Sequence, residues 1–191
     1  PSYAVGGQRI EGNTFRATPN GMRVLGVGDE VSIVRDNDFI DTFHAIGIYG
    51  PPLHFVGNRV TVEEPGRVPT SGHPASAILV SPQHTDCSGH VVAENTVEGH
   101  PGAIYVLAAR GETCRDVEIR DNEIRVARVP VPPGWVIPVP PGEDPTMVGV
   151  PITLSTSDWT PPGAEAELAE GIVEGVVVQG NRVTLSLIHI S

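Results

Sequence analysis

From Val117 to Ile119 apolar and charged residues alternate, Asp121-Asn122 interrupts, and the alternation resumes at Ile124 and Val126. A period of two turns every second side chain to one face of a strand. The Asp-Asn step predicts a bend, because both side chains bond nearby backbone and asparagine tolerates left-handed dihedrals. The unit is therefore strand, bend, strand.

Aligned on its asparagine, the unit recurs six times, at Asn13, Asn37, Asn58, Asn95, Asn122 and Asn181. Three residues earlier the side chain is always apolar: Ile10, Val34, Phe55, Val92, Ile119 and Val178. Two residues later it is apolar again: Phe15, Phe39, Val60, Val97, Ile124 and Val183. One residue later it is polar, and Gly, Asp or Glu stands immediately before the asparagine. The copies lie 24, 21, 37, 27 and 59 residues apart, with a further short apolar run between each pair: 22–27, 45–49, 77–80, 103–108 and 150–154. A repeat of this length made only of strands predicts coils stacked along an axis. The asparagines then stack as a ladder that holds the turns. The one helix-like stretch, 164–174, is interrupted by Gly171.

The pattern apolar-x-apolar, then Gly-Asn or Asp-Asn, then x-apolar resembles the right-handed parallel β-helix repeat of pectate lyases, polygalacturonases and phage tailspikes. The resemblance covers nearly the whole chain. It implies an all-β fold, a single-stranded right-handed parallel β-helix of about six coils, each rising about 4.8 Å. Many functions sit on that scaffold, so the resemblance is specific for fold and weak for activity.

Composition fits many tight turns: 22 Gly and 19 Pro in 191 residues, with only 5% aromatics, so the core falls to Val, Ile and Leu. The net charge of −11, with all 12 cations arginine, would repel nucleic-acid phosphate, and neither nucleic-acid binding nor a membrane span is expected. Proline and glycine mark three loop insertions, 63–76, 127–149 and 157–175, which are expected to protrude from the ladders. The chain starts in mid-pattern at Pro1, and its last residues resemble a translated sequencing adaptor. Residues 1–185 therefore read as a partial domain truncated at both ends, and 186–191 as a non-native tail. A signal peptide would not be visible in such a fragment; a secreted or cell-surface protein is expected.

Enzymes of the resembling fold place Asp, Arg or Lys on an outer sheet face, which singles out Arg35, Asp36, Asp38 and Arg59 as the best local cluster for catalysis. The motifs of polygalacturonases are absent, and no two carboxylates are set apart as a glycosidase requires. On the outward stripe after each asparagine, Asp38 would pair with Arg59, Glu123 with Arg182, and Glu98 with Arg125. Trp135 and Trp159 lie in proline-rich insertions and, with Tyr105, are candidates for stacking on sugar rings. His84, Cys87, His90 and Cys114 are of zinc-ligating types, but strand-and-turn geometry does not bring them to one point, and no metal site is expected. Cys87 and Cys114 each lie eight residues before an asparagine, so they share one position in successive coils, close enough for a disulfide. No cofactor is expected; a calcium ion would accompany a lyase, although no motif asks for one. Two functions follow: a protein that binds or processes polysaccharide, or a structural or adhesive surface repeat without an active site.

Overall fold

The computed structural model describes residues 2–3, 7–18, 20–25, 30–42, 44–50, 52–63, 76–82, 87–108, 111–130, 146–148, 150–156 and 171–186. They hold no helix. The strands preceding each asparagine form a leading sheet: Arg9–Glu11, Ser32–Arg35, Leu53–Val56, Val91–Ala93, Glu118–Arg120 and Val177–Gln179. The strands following it form a trailing sheet: Thr14–Arg16, Asp38–Ile40, Arg59–Thr61, Thr96–Glu98, Glu123–Pro130 and Arg182–Ser186. A long sheet collects Ser2–Tyr3, Asn20–Leu25, His44–Tyr49, Ile78–Val80, Gly102–Leu107 and Val150–Ser155. A short sheet adds Cys87–Ser88, Thr113–Arg115 and Ile172–Glu174. Pairing within these four stacks is parallel throughout, which makes the chain an all-β parallel solenoid.

Strict alternation sets the register, because a slip of one residue would turn every apolar side chain outward. Ile10, Val34, Phe55, Val92, Ile119 and Val178 form one row across the leading sheet. Phe15, Phe39, Val60, Val97, Ile124 and Val183 form a second across the trailing sheet. Met22, Ile46, Ile78, Ile104 and Ile152 supply a third from the long sheet. The central members of all three rows are buried, each contributing about 1.5–3 kcal/mol of transfer free energy. Phe15 stacks on Phe39 with ring centroids 4.8 Å apart.

The bend differs from its sequence expectation in one respect. The left-handed residue is not the asparagine but the one before it: Gly12, Asp36, Gly57, Glu94, Asp121 and Gly180, with φ between 54° and 66°. This corner frees the asparagine to point inward. Its Oδ1 accepts from the backbone N–H and the Nδ2 of the asparagine one coil earlier, and its own Nδ2 donates to a carbonyl of that earlier coil. Asn95 Oδ1 lies 2.9 Å from Asn58 N and 3.1 Å from Asn58 Nδ2, while Asn95 Nδ2 lies 2.9 Å from the Phe55 carbonyl oxygen. The same contacts run unbroken from Asn13 to Asn181. Corner groups that no sheet can pair are thereby satisfied.

Cys87 and Cys114 are register partners in the short sheet, with Cα atoms 4.7 Å apart, and are joined by a disulfide. Closing the 27-residue loop between them is worth about 3 kcal/mol by loop entropy.

Two insertion boundaries move. The trailing strand runs on to Pro130, and Arg128, Val129 and Pro130 pair antiparallel with Val148, Met147 and Thr146, so the expected insertion 127–149 begins and ends as a hairpin. Pro130 is tolerated because it closes the strand, where a missing donor costs little. Likewise Ile172–Glu174, expected inside the third insertion, pairs with Thr113–Arg115. Ser186, expected in the tail, pairs with Ala127. Residues 64–75, 131–145, 149, 157–170 and 187–191 lie outside the described residues.

Candidate functional site

The cluster Arg35, Asp36, Asp38 and Arg59 is split by its own bend. Arg35 ends a leading strand and faces Glu11, Nε to Oε1 at 3.2 Å, and Asp36 at 3.6 Å. Asp36 is the left-handed corner. Asp38 and Arg59 open trailing strands on the other side of that corner. They are register neighbours, yet no ion pair joins them, and none joins Glu123 to Arg182. Arginine is long enough to choose among neighbours: Arg125 takes Glu123 on its own strand at 2.9 Å and Glu98 on the next at 3.4 Å. Arg120 gathers Asp121, Glu94 and Glu118 at 3.2, 3.4 and 3.6 Å. Arg9 and Arg35 hold the Glu11 carboxyl below its ordinary range. These are solvated pairs of small energetic weight.

The long sheet carries a different assembly on its outer face. Arg23, Gly47, Leu79, Tyr105 and Thr153 form one row, alternating with the buried rows on either side. Tyr49, two residues after Gly47 on the same strand, folds its ring back over that glycine. A Cβ on Gly47 would stand 2.7 Å from the Tyr49 ring. The Arg23 guanidinium sits 4.8 Å from the centroid of the same ring, a cation–π distance. Burial raises the Tyr49 hydroxyl pKa, and Arg23 opposes the rise. The row thus reads Arg23, the Tyr49 ring, Leu79, Tyr105, with Tyr105 two rungs beyond Gly47, roughly 9–10 Å along the axis. Tyr105 is only 9% exposed, so the surface this face presents is the half-buried Tyr49 ring with the Arg23 guanidinium beside it. Trp135 and Trp159 lie outside the described residues.

The sequence reading picked Tyr105 but missed Tyr49, Gly47 and Arg23. The signal available was Gly-Ile-Tyr at 47–49, a small residue two places before an aromatic in an alternating strand. Using it requires the register of the long sheet, which has no asparagine to mark it.

His90 is fully buried at the corner between the short and leading sheets. Its Nδ1 accepts from Leu53 N–H at 3.1 Å, which fits only the neutral ring, while Nε2 has no partner within hydrogen-bonding geometry. Burial lowers its pKa to about 4; the Gly50 backbone opposes and His54 assists. Among the described residues no group of three His, Cys, Asp or Glu side chains converges as a metal site, and both cysteines are committed to the disulfide. No described helix is long and apolar enough to cross a membrane.

Fold and site together define a parallel β-solenoid with an arginine–tyrosine pair on the outer face of its long sheet. No family model matches the chain, and no curated protein and no solved structure matches it.

Proposed function

We propose that this is an exported, right-handed parallel β-helix of six coils, of the pectate-lyase-like kind, and that it binds polysaccharide along the outer face of the long sheet. The observation that carries the reading is the half-buried ring of Tyr49, folded over Gly47 with the Arg23 guanidinium 4.8 Å from its centroid. Saccharide rings have an apolar face that stacks on aromatics, and an arginine beside such a ring can donate to sugar hydroxyls. The disulfide supports export, since such bonds persist in oxidising compartments. Binding is favoured over bond cleavage because Arg35 with Asp36 and Asp38 with Arg59 sit on opposite sides of a corner.

Affinity electrophoresis through gels containing individual neutral and acidic polysaccharides tests this. At least one polysaccharide should retard the parent protein. Tyr49→Ala should weaken that binding roughly tenfold, the value of one stacked ring. Gly47→Ala should weaken it too, by lifting the Tyr49 ring. A folded parent retarded by no polysaccharide would replace this reading with that of a structural or adhesive surface repeat.

A further inference from the structure

We propose that His90 is a proton-operated latch on the Tyr49 face: its neutral ring pins the corner that follows Tyr49, and taking up a proton frees that corner and lets a bound polysaccharide go. The inference rests on the polysaccharide reading for its ligand and on the geometry of the corner for everything else. Tyr49 ends its strand. Leu25 is its register partner on one side, but on the other the ladder stops at Ile48, whose carbonyl accepts from Ser81 N–H at 3.0 Å. The residues that follow therefore help to fix the ring. Gly50 turns left-handed at φ 86°, and only residues 50–52 separate Tyr49 from Leu53, the first residue of the next leading strand. Pro52 stiffens that link by fixing its own φ. It is held on two sides: its carbonyl accepts from Ser32 N–H at 3.0 Å, and its ring lies against Gly89, where an added Cβ would be 3.5 Å from Cγ.

His90 follows Gly89 and closes the corner. Its ring is fully buried, and its Nδ1 accepts from Leu53 N–H at 3.1 Å, while Nε2 has no partner. A second proton would set an N–H on Nδ1 against the Leu53 N–H, donor to donor, and leave a buried charged ring with neither nitrogen paired. The groups around it give little relief. His54, next to Leu53 on its strand, disfavours the charged ring, and the Gly50 backbone favours it without forming a hydrogen bond of proper geometry. Arg115, opposite Ser88 in the short sheet, and Glu118, whose N–H donates to the His90 carbonyl, are both exposed. Opening the corner hydrates both ring N–H groups, so the proton and the opening come together. The ring has a pKa of about 4 in the fold and 6.5 when free, so between those values the opened fraction can rise up to about tenfold per pH unit as pH falls.

Fluorine NMR on the whole chain labelled with fluorotyrosine tests the latch without a ligand, so its failure and a failure of the polysaccharide reading are told apart. The chain has three tyrosines, and Tyr49→Phe assigns the Tyr49 signal by its loss. From pH 7 to 5, with the fold intact by circular dichroism, that signal should move toward its position in the unfolded chain while the Tyr105 signal holds still. In His90→Asn, which keeps an acceptor without titrating, the Tyr49 signal should hold still as well. His90→Gln serves instead should that variant fail to melt cooperatively. A polysaccharide that retards the parent at pH 7 should be bound several-fold more weakly at pH 5, and equally at both by the variant. A Tyr49 signal that stays fixed in the folded parent, or that moves alike in parent and variant, overturns the proposal. So does binding that weakens with acid alike in both.

Discussion

Replacing Asn95 by Ala should cost about 4 kcal/mol, more than the loss of any surface contact on this molecule. The side chain is 1% exposed and lies between Asn58 and Asn122 in the ladder. Truncation leaves Asn58 N–H without its acceptor and the Phe55 carbonyl without its donor, both buried at a corner that water does not reach. It also removes one of the donors to Asn122 Oδ1. Each buried group left unpaired costs about 1–3 kcal/mol, and two such groups plus a weakened third give the total. Asn95→Asp should be no better at neutral pH, because a carboxylate cannot donate to Phe55 or Asn122. Urea unfolding reads the effect as a lower midpoint at unchanged slope. A midpoint within the equivalent of 1 kcal/mol of the parent would mean that the ladder is incidental to stability.

Acidification should destabilise the fold before its carboxylates titrate, and His90 should be the cause. In the unfolded chain this histidine has its ordinary pKa of 6.5, and in the fold about 4. Above pH 6.5 the ring is neutral in both states and contributes no pH dependence. Between 6.5 and 4 the unfolded chain binds a proton that the folded chain does not, so stability falls as pH falls. The loss through this window reaches about 3 kcal/mol. Below pH 4 both states carry the proton and this loss stops growing. The physical cause is the buried ring, whose Nδ1 must remain an acceptor for Leu53 N–H. His90→Asn keeps an acceptor at that corner without a titrating group. Stability measured from pH 6.5 to 5 should slope in the parent and be nearly flat in the variant. An equal slope in both would assign the acid sensitivity elsewhere.

The core rows were readable from sequence because two independent signals agree on them. Period-two alternation gives the facing, and the asparagine gives the phase from one coil to the next. The cysteines followed from the same phase, since equal offsets from an asparagine become equal positions in neighbouring coils. What escaped had no such marker. The left-handed corner falls on Glu94, Asp36 and Asp121 as well as on glycines, so residue type alone does not place it. A second corner four residues after the asparagine, at Ala17, Asp41 and Gly99, has no shared residue at all. Strands of the short sheet are two or three residues long, below the length at which alternation can be recognised. Of the three expected ion pairs Glu98–Arg125 forms, while Asp38–Arg59 and Glu123–Arg182 do not, because register fixes where a Cα sits but not which of several carboxylates an arginine reaches. The Tyr49 face needed both the register of the long sheet and the folded-back ring, and only coordinates supply the second.

The central claim is that positions at equal offset from the asparagine are neighbours in successive coils, and paired cysteines test it most directly. Thr96 and Glu123, each one residue after its asparagine, are register partners on the outer side of the trailing sheet. The double variant Thr96→Cys, Glu123→Cys should form a new intramolecular disulfide under mild oxidation, seen by mass mapping of the unreduced digest. Thr96→Cys with Arg125→Cys, displaced by two residues along the strand, should form it far more slowly, because the diagonal separation of about 7–8 Å exceeds what a disulfide spans. Equal rates for the two pairs, or a Thr96–Glu123 pair that stays reduced while the displaced pair closes, would contradict the stacked-coil register.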